Sequence, residues 1–368
     1  SDRPTELSVS RTDNRRKKRM NATRNRLTAI LAAFFAAATC SVNAQQSSDS
    51  RSVRFVSFTL ENDRFAGTDE HYTNGFKATV LSAELSRYRE DRRLPAWLLP
   101  WVRRLPLVNQ PGRKRNVGLS LGQEMYTPRD TEAEELLVDD RPYAGWTYAG
   151  FAFHSKTVRT LDSIEFQVGL VGPQSYAAEV QEGVHRIMGV AVPEGWRHQL
   201  HNEPGFVLMG ERKWRWAAKT VWGLETDLIP HAGLSLGNVY TYAAFGAQVR
   251  VGRDLPSDFG TDLIRPGSDA GDIAGDGDPR LRASNTVSAH LILGFDGRAL
   301  AQNIFLDGNT FADSHSVDKE PLVADFMAGA SVLWRRFKLT YMHVIRTREF
   351  EKQSSCHGYG SISLSVTY

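Results

Sequence analysis

The chain has 368 residues, 41% hydrophobic and 24% charged, with a formal net charge of +3 and two cysteines. The excess of base lies in the first 44 residues, so the remainder is slightly acidic and gives no electrostatic case for nucleic-acid binding. Without that leader only Cys356 is left, which excludes an intrachain disulfide as a source of stability.

From Met20 the sequence reads MNATRNRLTAILAAFFAAATCSVNAQQ. Arg24 and Arg26 precede an apolar run from Leu27 to Ala38, and Val42-Asn43-Ala44 offers small residues for cleavage, which is the anatomy of a secretory signal peptide. The run is shorter than the ~20 residues of a spanning helix. Thr39 directly precedes Cys40 where lipidation sites usually have Gly, Ala or Ser, so lipidation is not expected. The expected organisation is an upstream segment and signal peptide over 1–44 and one domain over 45–368.

After the leader, apolar and polar residues alternate with period two in segments of about ten residues, the signature of outer-membrane strands. The pattern predicts strands near 53–61, 73–86, 116–125, 143–158, 161–171, 203–215, 218–231, 239–252, 286–298, 321–335, 336–348 and 358–368. Twelve is an even number, as in bacterial single-chain barrels. The fold expected is therefore all-β, a 12-stranded antiparallel transmembrane β-barrel with a short helix on the extracellular side.

The first two strands enclose LENDRFAGTDEHYTNGFKATVLS, which gathers Glu61, Asn62, Asp63, His71 and Thr73 at their shared end. The stretch 94–115 is rich in Pro and Trp and suits either a membrane interface or a hydrophobic loop cap. A helix is predicted from Ser175, as cap, to Met188, with Gly189 as its stop. Tyr176, Val180, Val184 and Ile187 share one face of it, and Gln181 and His185, four apart, form an adjacent polar stripe toward the barrel wall. The Gly/Asp-rich stretch 256–280 lacks the spacing and closing glutamate of an EF-hand and reads as a flexible loop. The final strand SISLSVTY ends on Tyr368; such an aromatic end resembles the signal read by the barrel-assembly machinery.

Six motifs occur in order: ENDRF (61–65), YTNG (72–75), GQEMYTP (122–128), DDRPYAGW (139–146), GPQSYA (172–177) and VHRIMG (184–189). On them, and over nearly the whole chain after the leader, the sequence resembles the outer-membrane lipid A 3'-O-deacylase family. The resemblance implies removal of 3'-linked acyl chains from lipid A of lipopolysaccharide by calcium-dependent ester hydrolysis in the bacterial outer membrane. It carries the family's functional residues onto Asn62, Asp63, Thr73, Gln181 and His185, with Asp63 and Thr73 toward Ca2+. In that scheme neutral His185 activates water, while the cation and Asn62 stabilise the oxyanion.

Gln199 and Glu203, at the start of the strand after the helix, are candidates to orient His185 or water, or are ordinary strand-end residues. Arg129 and Arg141 are candidates for lipid A phosphate, and Arg141 with Asp139 and Asp140 equally suits a rim ion-pair network. Two departures from the family pattern stand out: no lysine occurs from Gln123 to Ser155, and Val190 and Ala191 occupy the place just beyond the histidine where a glutamate can occur, Glu194 being the nearest acid. The competing readings are an outer-membrane phospholipase-type esterase and a non-enzymatic barrel or channel, with Glu165, Gln167, Glu211, Lys213 and Glu225 filling or wetting its lumen.

Overall fold

The computed structural model describes residues 53–66, 71–90, 94–221, 223–261, 263–267, 271–282 and 287–368; the predicted signal peptide and Cys40 lie outside the described residues. Thirteen strand segments follow in order: β1 (Val53–Asn62), β2 (His71–Ser82), β3 (Lys114–Thr127), β4 (Ala144–Lys156), β5 (Thr160–Val171), β6 (Glu203–Trp214), β7 (Trp216–Val221), β8 (Leu224–Gly237), β9 (Tyr240–Arg253), β10 (Val287–Asn303), β11 (Leu322–Trp334), β12 (Phe337–Arg346) and β13 (His357–Thr367). Consecutive strands pair antiparallel except β6 and β7, β1 also pairs with β13, and β6 pairs with β8, which closes the sheet. Closure gives every stave a partner on both sides, only the β7 extension being paired on one, and in a bilayer each unsatisfied backbone group would cost several kcal/mol.

Thirteen segments make twelve staves, because β6 and β7 are successive halves of one, both pairing with β8. The break falls at Arg215, whose Nε donates to Asp227 at 2.8 Å. The predicted strand 218–231 spans the turn between β7 and β8, where Gly223 takes φ 77°; a lone glycine inside a strand pattern does not by itself mark a turn.

Alternation decides which side each residue faces. Phe58, Leu119, Phe151, Phe166, Leu208, Phe245, Leu291 and Leu339 are exposed on the outer wall, while their sequence neighbours are largely buried inside. This reverses the pattern of a water-soluble barrel and makes the outer surface a lipid-facing band.

The stretch expected to be a flexible loop instead fills the lumen. Leu255 N donates to Glu225 (2.6 Å), Ile264 N to Glu61 (2.7 Å), Gly267 N to Glu165 (2.6 Å), and Arg265 to Glu211 (2.7 Å). Asp258 accepts from Arg250 (2.5 Å), Lys338 (2.9 Å) and Arg280 (3.2 Å). These strand partners lie on β1, β5, β6, β8, β9 and β12, all round the barrel. Burial would raise the Asp258 carboxyl, but the cations Lys338, Arg250 and Arg280 outweigh it and hold the group well below the usual range. Gln167 and Lys213 are buried with Glu165 and Glu211 on the same inner face, so these four line a filled interior, while Glu225, near the start of β8, is exposed and accepts from Leu255 N.

The helix spans Ala177–Met188, two residues later than predicted at its start. Pro173–Ser175 forms a 3-10 turn and Tyr176, at φ 59°, takes the N-cap position; Ser175 reaches the Ala177 amide only at 3.4 Å. Gly189, at φ 68°, ends the helix as predicted, since that left-handed conformation favours glycine.

Candidate active site

The site is built on a row of residues crossing the ends of four adjacent strands. Asn62 of β1 lies opposite Asn74 of β2, Asn74 opposite Met125 of β3, and Met125 opposite Gly145 of β4. Directly opposed residues share a face, and this row continues the outward sets that contain Phe58, Leu119 and Phe151. Thr73 is the extra residue of a bulge between Tyr72 and Asn74 in the β2–β3 ladder. Bulges re-aim local side chains and are over-represented beside active sites.

Gly145 explains how the helix comes to rest on this wall. A Cβ there would lie 2.2 Å from the Ala177 Cβ and 2.3 Å from Ser175 Oγ, so only glycine admits the approach. The Ser175 carbonyl accepts from Gln123 Nε2 and Thr147 Oγ1, both at 2.7 Å, which fastens the helix entry to β3 and β4. The YAGW stretch of the DDRPYAGW motif thus seats the helix through its glycine.

The polar stripe of the helix faces the protein. Gln181 and His185 are 3% and 5% exposed, whereas Ile187 is 88% exposed. His185 Nδ1 lies 2.6 Å from the Ala191 carbonyl oxygen. A carbonyl only accepts, so Nδ1 carries the proton and Nε2 of the neutral ring holds the lone pair. Gln181 Oε1 accepts from Trp196 Nε1 at 2.7 Å, and its Nε2 is buried with no acceptor among the described residues. Trp196 and the Ala191 carbonyl are hydrogen-bond partners of these candidates that sequence reasoning missed.

The Asn62–Asp63 pair is held from both faces of the wall. Inside, the buried Glu61 accepts from Tyr72 Oη at 2.8 Å and from Ile264 N at 2.7 Å. Outside, β1 turns into the 3-10 segment Asp63–Ala66, and Phe65 lies over Gly360 of β13, where a Cβ would come within 2.5 Å of it. The Asp63 carboxylate is fully buried.

Among the described residues no group of three or more His, Cys, Asp or Glu forms a metal centre. A cation here would depend on the Asp63 carboxylate with amide, hydroxyl and backbone oxygens. That donor set, hard oxygen without sulfur, fits calcium.

The remaining sequence candidates fall elsewhere. Arg141 is buried in the mouth of the barrel, its guanidinium 4.5 Å over the Tyr126 ring and paired with Glu349 at 3.0 Å. Burial would raise Glu349, but Arg141 and Arg346 more than offset this and hold it at about 2. Glu203 accepts from the Asn309 side chain and from the Thr310 and Phe311 amides, so it anchors the loop before β11. Arg129 is exposed and donates to Ser354 at 3.1 Å. Gln199 follows the short turn Gly195–His198 that carries Trp196. Among the described residues the structure therefore places Asn62, Thr73 and the Gln181–His185 helix along one end of β1–β4. Arg141 and Glu203 serve loop and mouth packing.

A family model described as "Outer membrane protein LpxR" matches residues 29–368. Among solved structures, LpxR from Salmonella typhimurium aligns with TM-score 0.65 at 17% identity, covering 85% of this chain and 100% of that one, which shows a common fold. The β domain of the Bordetella autotransporter BrkA aligns over 86% of this chain and 100% of its own, at 8% identity and TM-score 0.39, too low to carry an argument. No curated protein matches.

Proposed function

Because the chain belongs to the LpxR family of outer membrane proteins, we propose that it is a lipid A 3'-O-deacylase that hydrolyses the ester with His185 as general base. The observation that carries the reading is the locked tautomer of His185, which rides on the helix that Gly145, the last member of the Asn62 row, seats on the outer wall. A lipid A ester lies at the membrane surface, so a site on the outer wall meets its substrate without drawing it from the bilayer.

His185 Nε2 accepts a proton from water as the water oxygen attacks the ester carbonyl. The same proton then passes to the departing sugar oxygen, giving a free fatty acid and a 3'-hydroxyl. Asn62 and the Gln181 amide are the donors for the developing oxyanion or the attacking water. Asp63, with Asn62 and Thr73, would hold calcium. When bound, that ion supplies polarisation of the carbonyl and neutralisation of the oxyanion.

The test is mass spectrometry of lipid A incubated with the refolded protein, with calcium or a chelator, beside His185→Ala. The expected result is loss of 3'-linked chains only with calcium and intact His185, the variant being slower by about 100-fold or more. Unchanged lipid A from a barrel shown folded by heat-modifiable gel mobility would overturn the proposal. The channel alternative loses its support, because the lumen is occupied by the segment after β9.

A further inference from the structure

We propose that the outer wall at the end opposite the Asn62 row carries a recognition surface for anionic phospholipid headgroups, formed by residues 85–90 and 94–113 and extended by the β11–β12 hairpin. This rests on the outer-membrane location of the barrel and not on the esterase reading.

The segment is fixed rigidly to the outside of the wall. Leu85 bridges Arg115 through two backbone bonds of 2.8 and 2.9 Å, and Tyr88 Oη donates to the His154 carbonyl at 2.8 Å. Tyr88, Val102 and Val108 pack on Val117, Phe153 and Ile164, which face outward near the ends of β3, β4 and β5. Asn109 Nδ2 donates to the Val102 and Leu105 carbonyls and closes the short helix Leu99–Val102.

What this scaffold presents is unusual for a loop cap. Trp97 is 71% and Trp101 64% exposed, although Tyr88, Val102 and Val108 of the same segment are buried. Indoles favour the headgroup level of a bilayer, where an apolar body and an N–H are both satisfied. Residues 85–90 and 94–113 also hold five arginines and no lysine, against Glu90. Arg113 is spent internally on Asp162 at 2.7 Å, and Arg115 on the Ser86 and Gln110 carbonyls. Arg87, Arg89, Arg103 and Arg104 are exposed and make no ion pair among the described residues; Glu90 is taken up by the Ser86 amide.

The β11–β12 hairpin repeats the chemistry at the same end. Trp334 stacks on Phe337 at 6.2 Å, Arg335 lies 5.1 Å over Trp334, and Arg336 is exposed beside them. Exposed indoles beside guanidiniums, on a wall that faces lipid, match a layer of phosphate-bearing headgroups. Both the start of β1 and the finish of β13 lie at this end, which for a barrel inserted from the periplasm is the periplasmic side, where the leaflet is phospholipid.

The experiment uses the full chain reconstituted in phosphatidylcholine vesicles with trace spin-labelled phosphatidylglycerol or phosphatidylcholine. The fraction of motionally restricted lipid is read by electron paramagnetic resonance. A preference for phosphatidylglycerol of about threefold or more at low salt is expected, shrinking at high salt. The combined variant Arg87→Gln, Arg89→Gln, Arg103→Gln, Arg104→Gln should lose most of it while keeping heat-modifiable gel mobility. Equal restriction of both lipids would overturn the proposal and mark the segment as a general interfacial anchor or a protein-docking surface. A preference that survives the combined variant would overturn it as well. Lipid A hydrolysis enters neither readout, so failure here is separable from failure of the esterase.

Discussion

Trp196 acts on the site through Gln181. An indole N–H can only donate, so the 2.7 Å bond forces the amide to turn its oxygen to Trp196 and its nitrogen away, where it lacks an acceptor among the described residues. A buried donor left unmatched is costly, and that cost is relieved when a water or oxyanion arrives to accept. Trp196→Phe retains the packing on Tyr143, whose ring centroid is 5.0 Å away, and releases the amide. The expected loss is about fivefold in kcat, one hydrogen bond of ~1 kcal/mol, with KM unchanged and stability lowered by about 1 kcal/mol. In a Gln181→Ala background the same substitution should cost nothing further, and additive losses would show that Trp196 acts only by packing. Sequence reveals Gln181 and His185 because a helix repeats them four apart. It cannot reveal Trp196, fifteen residues from Gln181 across irregular chain, nor the Ala191 carbonyl, because backbone acceptors carry no residue signature. Arg141 was ambiguous for the same reason: its partner Glu349 stands 208 residues away.

The strands were legible because period-two alternation is imposed by lipid outside and packed polar groups inside, and eleven of the twelve staves fall near their predicted places. The segment after β9 was not. Its Gly and Asp content is that of a surface loop, and its role depends on cations placed inward on distant strands, Arg250 on β9 and Lys338 on β12. Removing the carboxylate at the centre of that cluster leaves Arg250, Arg280 and Lys338 close together with their charges less compensated. Asp258→Ala should therefore destabilise the barrel by about 3–5 kcal/mol, the usual range for breaking a buried pair, read as a lower urea midpoint in lipid vesicles. Dislodging the segment should also open the lumen, so the variant is expected to conduct ions in planar bilayers where the parent chain does not. Conductance by the parent chain would contradict a filled lumen. An Asp258→Ala variant with unchanged midpoint would show that the segment is held by its backbone bonds to Glu61 and Glu165.

At the scale of the molecule, the barrel turns the usual arrangement of an enzyme inside out. Its interior is spent on a fixed polar filling, and the residues proposed for hydrolysis sit on the wall that meets lipid. The helix shows the consequence in one turn: His185 is buried against the protein, while Val184 and Ile187 are 40% and 88% exposed. An apolar side chain so exposed at the edge of a catalytic element is explained if lipid tails cover it, which makes access to His185 lateral, in the plane of the membrane. Ile187→Lys tests this directly. A cation near the interface of an outer-membrane barrel costs up to ~1 kcal/mol, so KM for lipid A embedded in bilayers should rise by about fivefold. Hydrolysis of a short-chain, water-soluble ester should be unchanged, because neither the His185–Ala191 bond nor the Gln181–Trp196 bond involves this position. An unaltered KM in bilayers would place the exposed edge of the helix outside the lipid and direct the substrate to the site from the aqueous side. Equal loss on both esters would mean that the substitution had disturbed the helix itself.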